Sequence, residues 1–145
     1  MIKLTKILIS AVTILSLVGC NGTKTENTQT VGNTVQPKVR DLGVAEVQKM
    51  IQDNPGIIRI DVRTPGEYTG ELGHIAGTDL KTVQTIEEWG PKLNLPKDQP
   101  IILICRSGNR SGHAARALAQ MGYLDLVNMS GGMLAWNQAG YPVEK

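Results

Sequence analysis

Cys105 is the residue of this sequence with the most evident capacity for chemistry. It follows four apolar residues, 101–104, and a short apolar run without polar alternation predicts a strand buried on both faces. A turn with two guanidinium groups and a glycine comes next: Arg106, Ser107, Gly108, Asn109 and Arg110. A thiol at the tip of a buried strand, followed by a positively charged turn, is typical of a nucleophile that meets an anionic substrate.

The turn after Cys105 leads into a predicted helix, which can stabilise a negative charge on the sulfur. Ser111 is predicted as the N-cap of this helix, and residues 113–121 are good helix formers. Amides of the turn and of the first helical turn can converge on the sulfur, as they do in phosphate-binding turns. Surroundings of this kind lower a thiol pKa to roughly 3.5–7.5. We therefore predict a thiolate nucleophile, with residues 106–110 binding the substrate.

An inert cysteine is the alternative interpretation. Most cysteines on buried strands behave as small hydrophobic residues without chemistry. A residue of that kind would not require two arginines and a glycine-containing turn directly after it, so the sequence favours a reactive Cys105.

Strands and helices alternate along residues 39–145, which predicts an α/β fold: a parallel sheet with helices on both faces. Besides the strand and helix around Cys105, helices are expected at 44–52, 85–93 and 133–139, and strands at 57–62 and 124–129. Ligands of such sheets bind beyond the carboxyl ends of the strands. Cys105 and Asp61 both lie at strand ends of this kind.

The first residues have the pattern of an export signal. Lys3 and Lys6 precede an apolar stretch, 7–18, that is too short to cross a bilayer and has the length of a signal-peptide core. The stretch ends in Leu-Val-Gly-Cys, which resembles the bacterial lipobox, with Cys20 as the lipidated residue. We predict a lipoprotein signal peptide at 1–19 and a chain anchored to a membrane surface of the cell envelope. A plain secretory signal with an incidental Cys20 is the alternative.

Residues 20–38 are predicted to be a flexible tether, because Asn, Thr, Gln, Gly and Lys dominate them. Without Lys3 and Lys6, basic and acidic side chains are equal in number, and aromatic residues make up only 3% of the chain. Neither feature suits nucleic acid, whose partners carry a basic face. No cluster of metal ligands and no glycine fingerprint for a nucleotide is present, so no cofactor is expected. We also expect a monomer.

Residues 39–143 resemble the single-domain rhodaneses, a family of thiosulfate sulfurtransferases. The resemblance rests on four motifs in the family's order: IDVRTPGEY at 60–68, GHIAG at 73–77, CRSGNRS at 105–111 and GGMLAWNQAGYPV at 131–143. It implies a five-stranded parallel sheet, a Cys105 that cycles through a persulfide, and a loop whose amides hold the transferred sulfur. Asp61, Arg63 and Ser111 are expected to support that loop. Ala76 and Leu80 depart from the family's usual residues, outside the loop.

Two other functions remain open beside sulfur transfer from an anionic donor to a thiol or to cyanide. Phosphatases and arsenate reductases of related fold place five residues between the cysteine and the arginine, whereas four separate Cys105 from Arg110. The smaller ring suits a single sulfur atom and not a tetrahedral oxyanion. A persulfide carrier that delivers sulfur to a membrane-side partner is the other alternative. A catalytically silent interaction domain is disfavoured by the intact loop.

Overall fold

The computed structural model describes residues 35–145. The predicted signal peptide, the lipidation site Cys20 and most of the predicted tether lie outside the described residues. The first strand begins at Lys38, just before the predicted domain start. No helix within residues 35–145 has the length and apolar character needed to cross a bilayer.

Five parallel strands form the sheet, in the order β1-β5-β4-β2-β3. The elements in chain order are β1 (Lys38–Leu42), α1 (Val44–Asp53), β2 (Ile58–Asp61), α2 (Pro65–Tyr68), β3 (Asp79–Leu80), α3 (Ile86–Trp89), β4 (Pro100–Ile104), α4 (Asn109–Gln120), β5 (Asp125–Met129) and α5 (Gly132–Gln138). This architecture confirms the predicted five-stranded parallel α/β fold. It places β4, the strand that precedes Cys105, between β5 and β2 in the middle of the sheet.

The strand β4 is buried on both faces and divides its side chains between two apolar cores. Ile101 and Leu103 face one core, where α3 and α4 pack, whereas Ile102 and Ile104 face the other, where α1 and α5 pack. This division follows from the two-residue repeat of a strand. Because the sequence has no phenylalanine, aliphatic residues fill most of both cores, with Trp136 buried in the second. The prediction of helices on both faces is confirmed.

The predicted helix at 85–93 is wrong in its length. The structure has only the short α3 there, with 3₁₀ turns before it at Val83–Thr85 and after it at Gly90–Lys92. Pro91 has no backbone N–H and cannot continue an α-helical ladder, so the segment tightens into a 3₁₀ turn after Trp89.

Candidate active site

Cys105 directly follows β4, at the carboxyl end of the central strand, and its side chain is only 1% exposed. The neighbouring strand β2 ends at the same edge, and its continuation remains attached to β4, since the Val62 N–H donates to the Ile104 carbonyl at 2.8 Å. The thiol therefore lies at the carboxyl end of the central strand, where ligands of parallel sheets bind.

The turn after Cys105 directs hydrogen-bond donors at the sulfur. The Gly108 N–H lies 3.1 Å from Sγ, and the Ser111 Oγ lies 3.2 Å from it. Gly108 has a φ of +95°, and a Cβ there would come within 3.1 Å of the Gly131 nitrogen. Only glycine takes up this conformation readily and leaves room for that neighbour.

The prediction that Ser111 is the helix N-cap is wrong. Helix α4 begins at Asn109 with Gly108 as its N-cap, which makes Ser111 the third helical residue. The left-handed glycine closes the turn earlier than the spacing of polar residues indicated. The Ser111 side chain is buried beside the sulfur instead of capping the helix, and its support of the loop stays a prediction.

Opposing influences act on the pKa of the Cys105 thiol. Burial, the largest single influence, raises this pKa because it disfavours the charged form. The Ser111 hydroxyl and the backbone N–H groups of Ser111, Ser107 and Gly108 lower it, and together they outweigh burial. The net result is a thiol pKa below its ordinary value. The loop therefore favours a thiolate in a place from which water is largely excluded.

Gly132, the first residue of α5, supports the turn from its other side. The Met133 N–H donates to the Cys105 carbonyl at 2.9 Å, and the Leu134 N–H donates to the Arg106 carbonyl at 3.0 Å. A Cβ on Gly132 would lie 2.4 Å from the Cys105 carbonyl oxygen. The backbones can approach this closely only because Gly132 has no side chain. The start of α5 thus satisfies two carbonyls of the turn that helix α4 cannot reach.

Arg110 forms a two-pronged ion pair with Glu67 of helix α2. Its two terminal nitrogens lie 2.8 Å and 2.5 Å from the two carboxylate oxygens. The Glu67 carboxylate also accepts the backbone N–H of Thr64, in a capping box that starts α2. The hydrogen bond from Arg110, the largest influence, lowers the pKa of Glu67 to about 2, against an opposing effect of burial. The pair fastens the end of the cysteine loop to α2.

Replacing Glu67 by glutamine is expected to lower the free energy of unfolding at pH 7 by about 1 kcal/mol, since solvent screens a pair of this exposure. The folded-state pKa of about 2 lies below the ordinary value of 4.5. The stabilisation is therefore present above about pH 4.5 and is lost as the pH falls towards 2. Glutamine preserves the capping box, so the comparison isolates the charge. Urea unfolding of the wild type and the variant between pH 2 and pH 7 measures the difference.

Glu71→Gln is the matched control, because the Glu71 side chain is exposed and has no ion-pair partner within residues 35–145. It should leave the unfolding free energy unchanged at every pH. A difference between wild type and Glu67→Gln that persists unchanged at pH 2 would contradict the assigned role of the charge.

Asp61 and Arg63 form a fully buried ion pair next to β2, both with side chains that are 0% exposed. The Arg63 guanidinium meets both carboxylate oxygens and also donates to the carbonyls of Glu67, at 3.0 Å, and Gly73, at 2.7 Å. A buried charge pair needs such additional partners to offset its loss of hydration. Neither side chain is hydrogen-bonded to the sulfur. The pair fixes α2, and hence Glu67, so it supports the loop through the Glu67–Arg110 pair.

The remaining loop residues point to solvent. Arg106, Ser107 and Asn109 are exposed, and within the described residues the Arg106 side chain has no ion-pair partner. An open pocket of about 420 Å³ lies beside Arg106, bordered also by Leu134 and by the Glu67 and Glu71 side chains. The predicted substrate-binding residues therefore differ in exposure, because Gly108 is buried and Arg110 is shared with Glu67.

Sequence reasoning did not single out Asn128. It lies on β5, is 6% exposed, and accepts a hydrogen bond from the Ser111 hydroxyl at 2.6 Å. Its side-chain nitrogen donates to the Asp41 carboxylate on β1, also at 2.6 Å. The signal in the sequence was an asparagine within the otherwise apolar run 126–129. A polar residue in such a run has to find a buried partner.

Comparison with known proteins gives one match to a family model, that of the rhodanese-like domain, over residues 43–139. This range contains the loop around Cys105, Glu67 and the start of α5, and it spans more than half of the chain. The chain belongs to the rhodanese-like family.

Relatives of this rhodanese-like chain include named sulfurtransferases. It is 30% identical to the thiosulfate sulfurtransferase GlpE of Pseudoalteromonas translucida, over 69% of this chain and 90% of that protein. It is 34% identical to the uncharacterized protein slr1261 of Synechocystis, over 67% of this chain but only 52% of that protein. The chain thus spans about half of the latter relative. The polysulfide-sulfur transferase homodimer of Wolinella succinogenes shares the fold, with a TM-score of 0.61 and 27% identity over 72% of this chain and 77% of that one. At the level of the family, these likenesses support sulfur transfer.

The GHIAG motif of this rhodanese-like domain has a structural role. The His74 ring stacks on Tyr68 with centroids 3.7 Å apart, and its Nδ1 lies 3.2 Å from the Tyr68 carbonyl oxygen. The backbone of His74 pairs with that of Glu144, so the motif attaches the end of the chain to the segment after α2.

Proposed function

We propose that this protein transfers sulfane sulfur from thiosulfate, or a similar anionic donor, to a thiophilic acceptor through a persulfide on Cys105. The observation that carries the proposal is the buried sulfur with the Gly108 N–H and the Ser111 hydroxyl directed at it. Donors held at that distance stabilise a thiolate, and the backbone N–H groups of the turn can stabilise an anionic persulfide after the transfer. Membership of a family with sulfurtransferases supports the same activity.

The reaction consists of two displacements at sulfur. The Cys105 thiolate attacks the outer sulfur of thiosulfate, a new S–S bond forms, and the S–S bond of the donor breaks. Sulfite leaves with the bonding electron pair. The acceptor then attacks the outer persulfide sulfur, takes it, and leaves the Cys105 thiolate as it was at the start. No cofactor is needed for either step.

The charge of an anionic donor is met by Arg106 in this proposal. Arg106 is exposed beside the open pocket and has no ion-pair partner within residues 35–145. Arg110 shares its charge with Glu67, so its predicted part in binding the substrate stays a prediction and would add to that of Arg106. Arginine suits this task because its planar fork of N–H groups matches an oxyanion.

Phosphoryl transfer, the less favoured alternative, receives no support from the position of Arg110. A phosphatase of this loop type needs its arginine free to hold the equatorial oxygens of the phosphoryl group. Both terminal nitrogens of Arg110 bind the Glu67 carboxylate instead. The loop also has one residue fewer than a phosphatase ring, so a single sulfur atom is the better occupant.

The acceptor has to come from outside the described part of the chain. Cys105 is the only free cysteine among residues 35–145, so no second thiol of this domain can take up the sulfur. Cyanide, a small thiol or a cysteine of a partner protein would serve. We propose also that a lipid on Cys20 places this reaction at a membrane surface of the cell envelope. The alternative function, that of a persulfide carrier, would deliver sulfur to a membrane-side partner there.

Treatment of the full chain with thiosulfate is expected to add the mass of one sulfur atom to the Cys105 peptide. Cyanide should then remove that mass and regenerate the thiol, because the outer persulfide sulfur is electrophilic and open to a small nucleophile. Peptide mass spectrometry follows both steps, and release of sulfite and thiocyanate measures turnover. An aryl phosphate added to the same preparation serves as the control substrate and should not be hydrolysed.

The three functions give different results in this experiment. An adduct that cyanide discharges repeatedly supports the sulfurtransferase. An adduct that cyanide cannot discharge would favour the carrier over the enzyme. Phosphatase turnover without any sulfur adduct would overturn the proposed function.

A further inference from the structure

A chain of hydrogen bonds leads from the Cys105 sulfur to the edge of the sheet. The Ser111 Oγ lies 3.2 Å from the sulfur and 2.6 Å from the Asn128 Oδ1. The Asn128 Nδ2 lies 2.6 Å from a carboxylate oxygen of Asp41. Ser111 and Asn128 are buried, whereas Asp41 is exposed at the end of β1. None of the steps described above for sulfur transfer requires Asn128 or Asp41.

The Asp41 carboxylate fixes the orientation of the Asn128 amide. A carboxylate only accepts hydrogen bonds, so it selects the Nδ2 end of the amide. The Oδ1 end is then turned towards Ser111 and acts as an acceptor. The pairing of β1 with β5 places Asp41 directly opposite Asn128, which sets the distance between the two side chains.

The Ser111 hydroxyl has one hydrogen and two acceptors close by. The Asn128 oxygen, at 2.6 Å, is at the short end of the range for strong O–H···O bonds, whereas the neutral sulfur of a thiol is a weak acceptor. We propose that Asn128, oriented by Asp41, is a positioning residue that competes with Cys105 for the Ser111 hydroxyl hydrogen and so limits its support of the thiolate. This inference rests on the proposed role of Cys105 as the nucleophile.

Because of this competition, the hydrogen-bond partner of the Ser111 hydroxyl depends on the state of the sulfur. In the thiol, the S–H donates to the Ser111 oxygen, and the hydroxyl donates to Asn128. When the thiol loses its proton to solvent, the Ser111 hydroxyl donates to the negative Sγ and its hydrogen bond to Asn128 is lost. In the persulfide, the charge lies on the outer sulfur, and the hydroxyl hydrogen returns to Asn128. Asn128 thus favours the states in which Sγ is neutral over the free thiolate.

The surrounding charges do not change when Asn128 is replaced by an uncharged residue. Helix α5, which supports the loop, has no charged side chain. The charged or titratable groups on the loop and on the elements packed around the sulfur and Asn128 are Arg106, Arg110 with Glu67, Asp61 with Arg63, Asp41, and His113 with Arg116 on α4. The same strands also carry Lys38 and Arg40 on β1, Arg59 on β2 and Asp125 on β5. A shift in the titration of Cys105 in an Asn128 variant therefore reports on the hydroxyl.

The test is the pH dependence of Cys105 alkylation by iodoacetamide in the full chain, measured on the Cys105 peptide. Only the thiolate reacts, so the midpoint reports thiolate formation without any sulfur transfer. Asn128→Leu is expected to lower the midpoint by about half a pH unit, because Ser111 then donates to the sulfur alone. Ser111→Ala is expected to raise it by about one pH unit, because that donor is lost.

The decisive comparison repeats the Asn128→Leu change in the Ser111→Ala background. The midpoint should not move there, because Asn128 acts through the hydroxyl. An equal shift in both backgrounds, no shift in either, or an upward shift in the wild-type background would each overturn the inference. An upward shift would mean that Asn128 helps Ser111 to donate to the sulfur.

Asp41 provides a second test at an exposed residue, where a substitution leaves the core intact. Asp41→Ala releases the amide, so its Nδ2 can face Ser111, whereas Asp41→Asn removes the charge but retains an oxygen that can accept from Nδ2. The midpoint is expected to be lower in Asp41→Ala than in Asp41→Asn. Equal midpoints would contradict the orienting role of Asp41.

This readout separates the inference from the proposed function. Alkylation requires only a thiolate, so the alkylation midpoint of the Asn128 variant tests the inference even if thiosulfate leaves no adduct on Cys105. Conversely, a sulfur adduct with unchanged alkylation midpoints in the Asn128 variant would overturn the inference and leave the proposed function in place.

Discussion

Replacement of Cys105 by alanine is expected to abolish both persulfide formation and sulfur transfer while the protein remains folded. The variant has no atom that can attack the donor, so the loss of turnover should be complete. It also removes one buried sulfur atom, which costs about 1 kcal/mol of unfolding free energy. Peptide mass spectrometry after thiosulfate, a thiocyanate assay and thermal unfolding measure the three consequences.

Cys20→Ser is the control for this variant, because Cys20 is the only other cysteine of the sequence. It should keep the sulfur adduct on Cys105 and the full turnover measured in solution. Turnover that survives Cys105→Ala, or that disappears with Cys20→Ser, would show that the proposed nucleophile is wrong.

Gly132→Ala is expected to have the largest effect on stability of any single methyl group added near the site. The new Cβ would lie 2.4 Å from the Cys105 carbonyl oxygen, and the backbone φ of +56° is itself unfavourable for alanine. The variant has to move α5 away from the turn and thereby loses the Met133 and Leu134 hydrogen bonds to it. We expect a loss of about 3 kcal/mol or more and a much slower sulfur transfer. Urea unfolding and the turnover assay measure the two effects.

Gly140→Ala separates the strain of the backbone from the steric overlap. Gly140 also has a positive φ, of +71°, but a Cβ there would meet no atom within 4 Å. It should cost about 1 kcal/mol and leave turnover unchanged. If both variants lost the same unfolding free energy and both remained active, the close contact between Gly132 and the turn would be needed neither for stability nor for turnover.

The sequence predicted the central part of the fold because its signals are local. The apolar run before Cys105, the turn and the helix after it follow one another within a few residues. The strands β1 and β3 were not singled out, for a physical reason. β1 lies at an edge and is mostly exposed, so it shows no apolar run, and β3 has only two residues. Only their pairing with β5 and β2 defines them.

The residues that hold the cysteine loop in place could be predicted less well than the nucleophile Cys105. The Asp61–Arg63 pair spans two residues and follows from two charges beside a buried strand. Glu67 and Arg110 are separated by 43 residues, and Asp41 and Asn128 by 87. Spacing along the chain contains no information about such pairs. They can be inferred only once the order of the strands in the sheet is known. Ser111 was misplaced as a cap because Gly108 starts the helix earlier than polarity suggested.

The attachment of the cysteine turn to the start of α5 has a consequence for its dynamics. Functional loops generally open on their own, and their amides exchange hydrogen with solvent rapidly. Here the Cys105 and Arg106 carbonyls are bound by α5, and the Gly108 N–H faces a buried sulfur. These bonds attach the turn to buried parts of the domain, so the amide protons of Gly108, Met133 and Leu134 should be among the slowest of the domain to be replaced by deuterium.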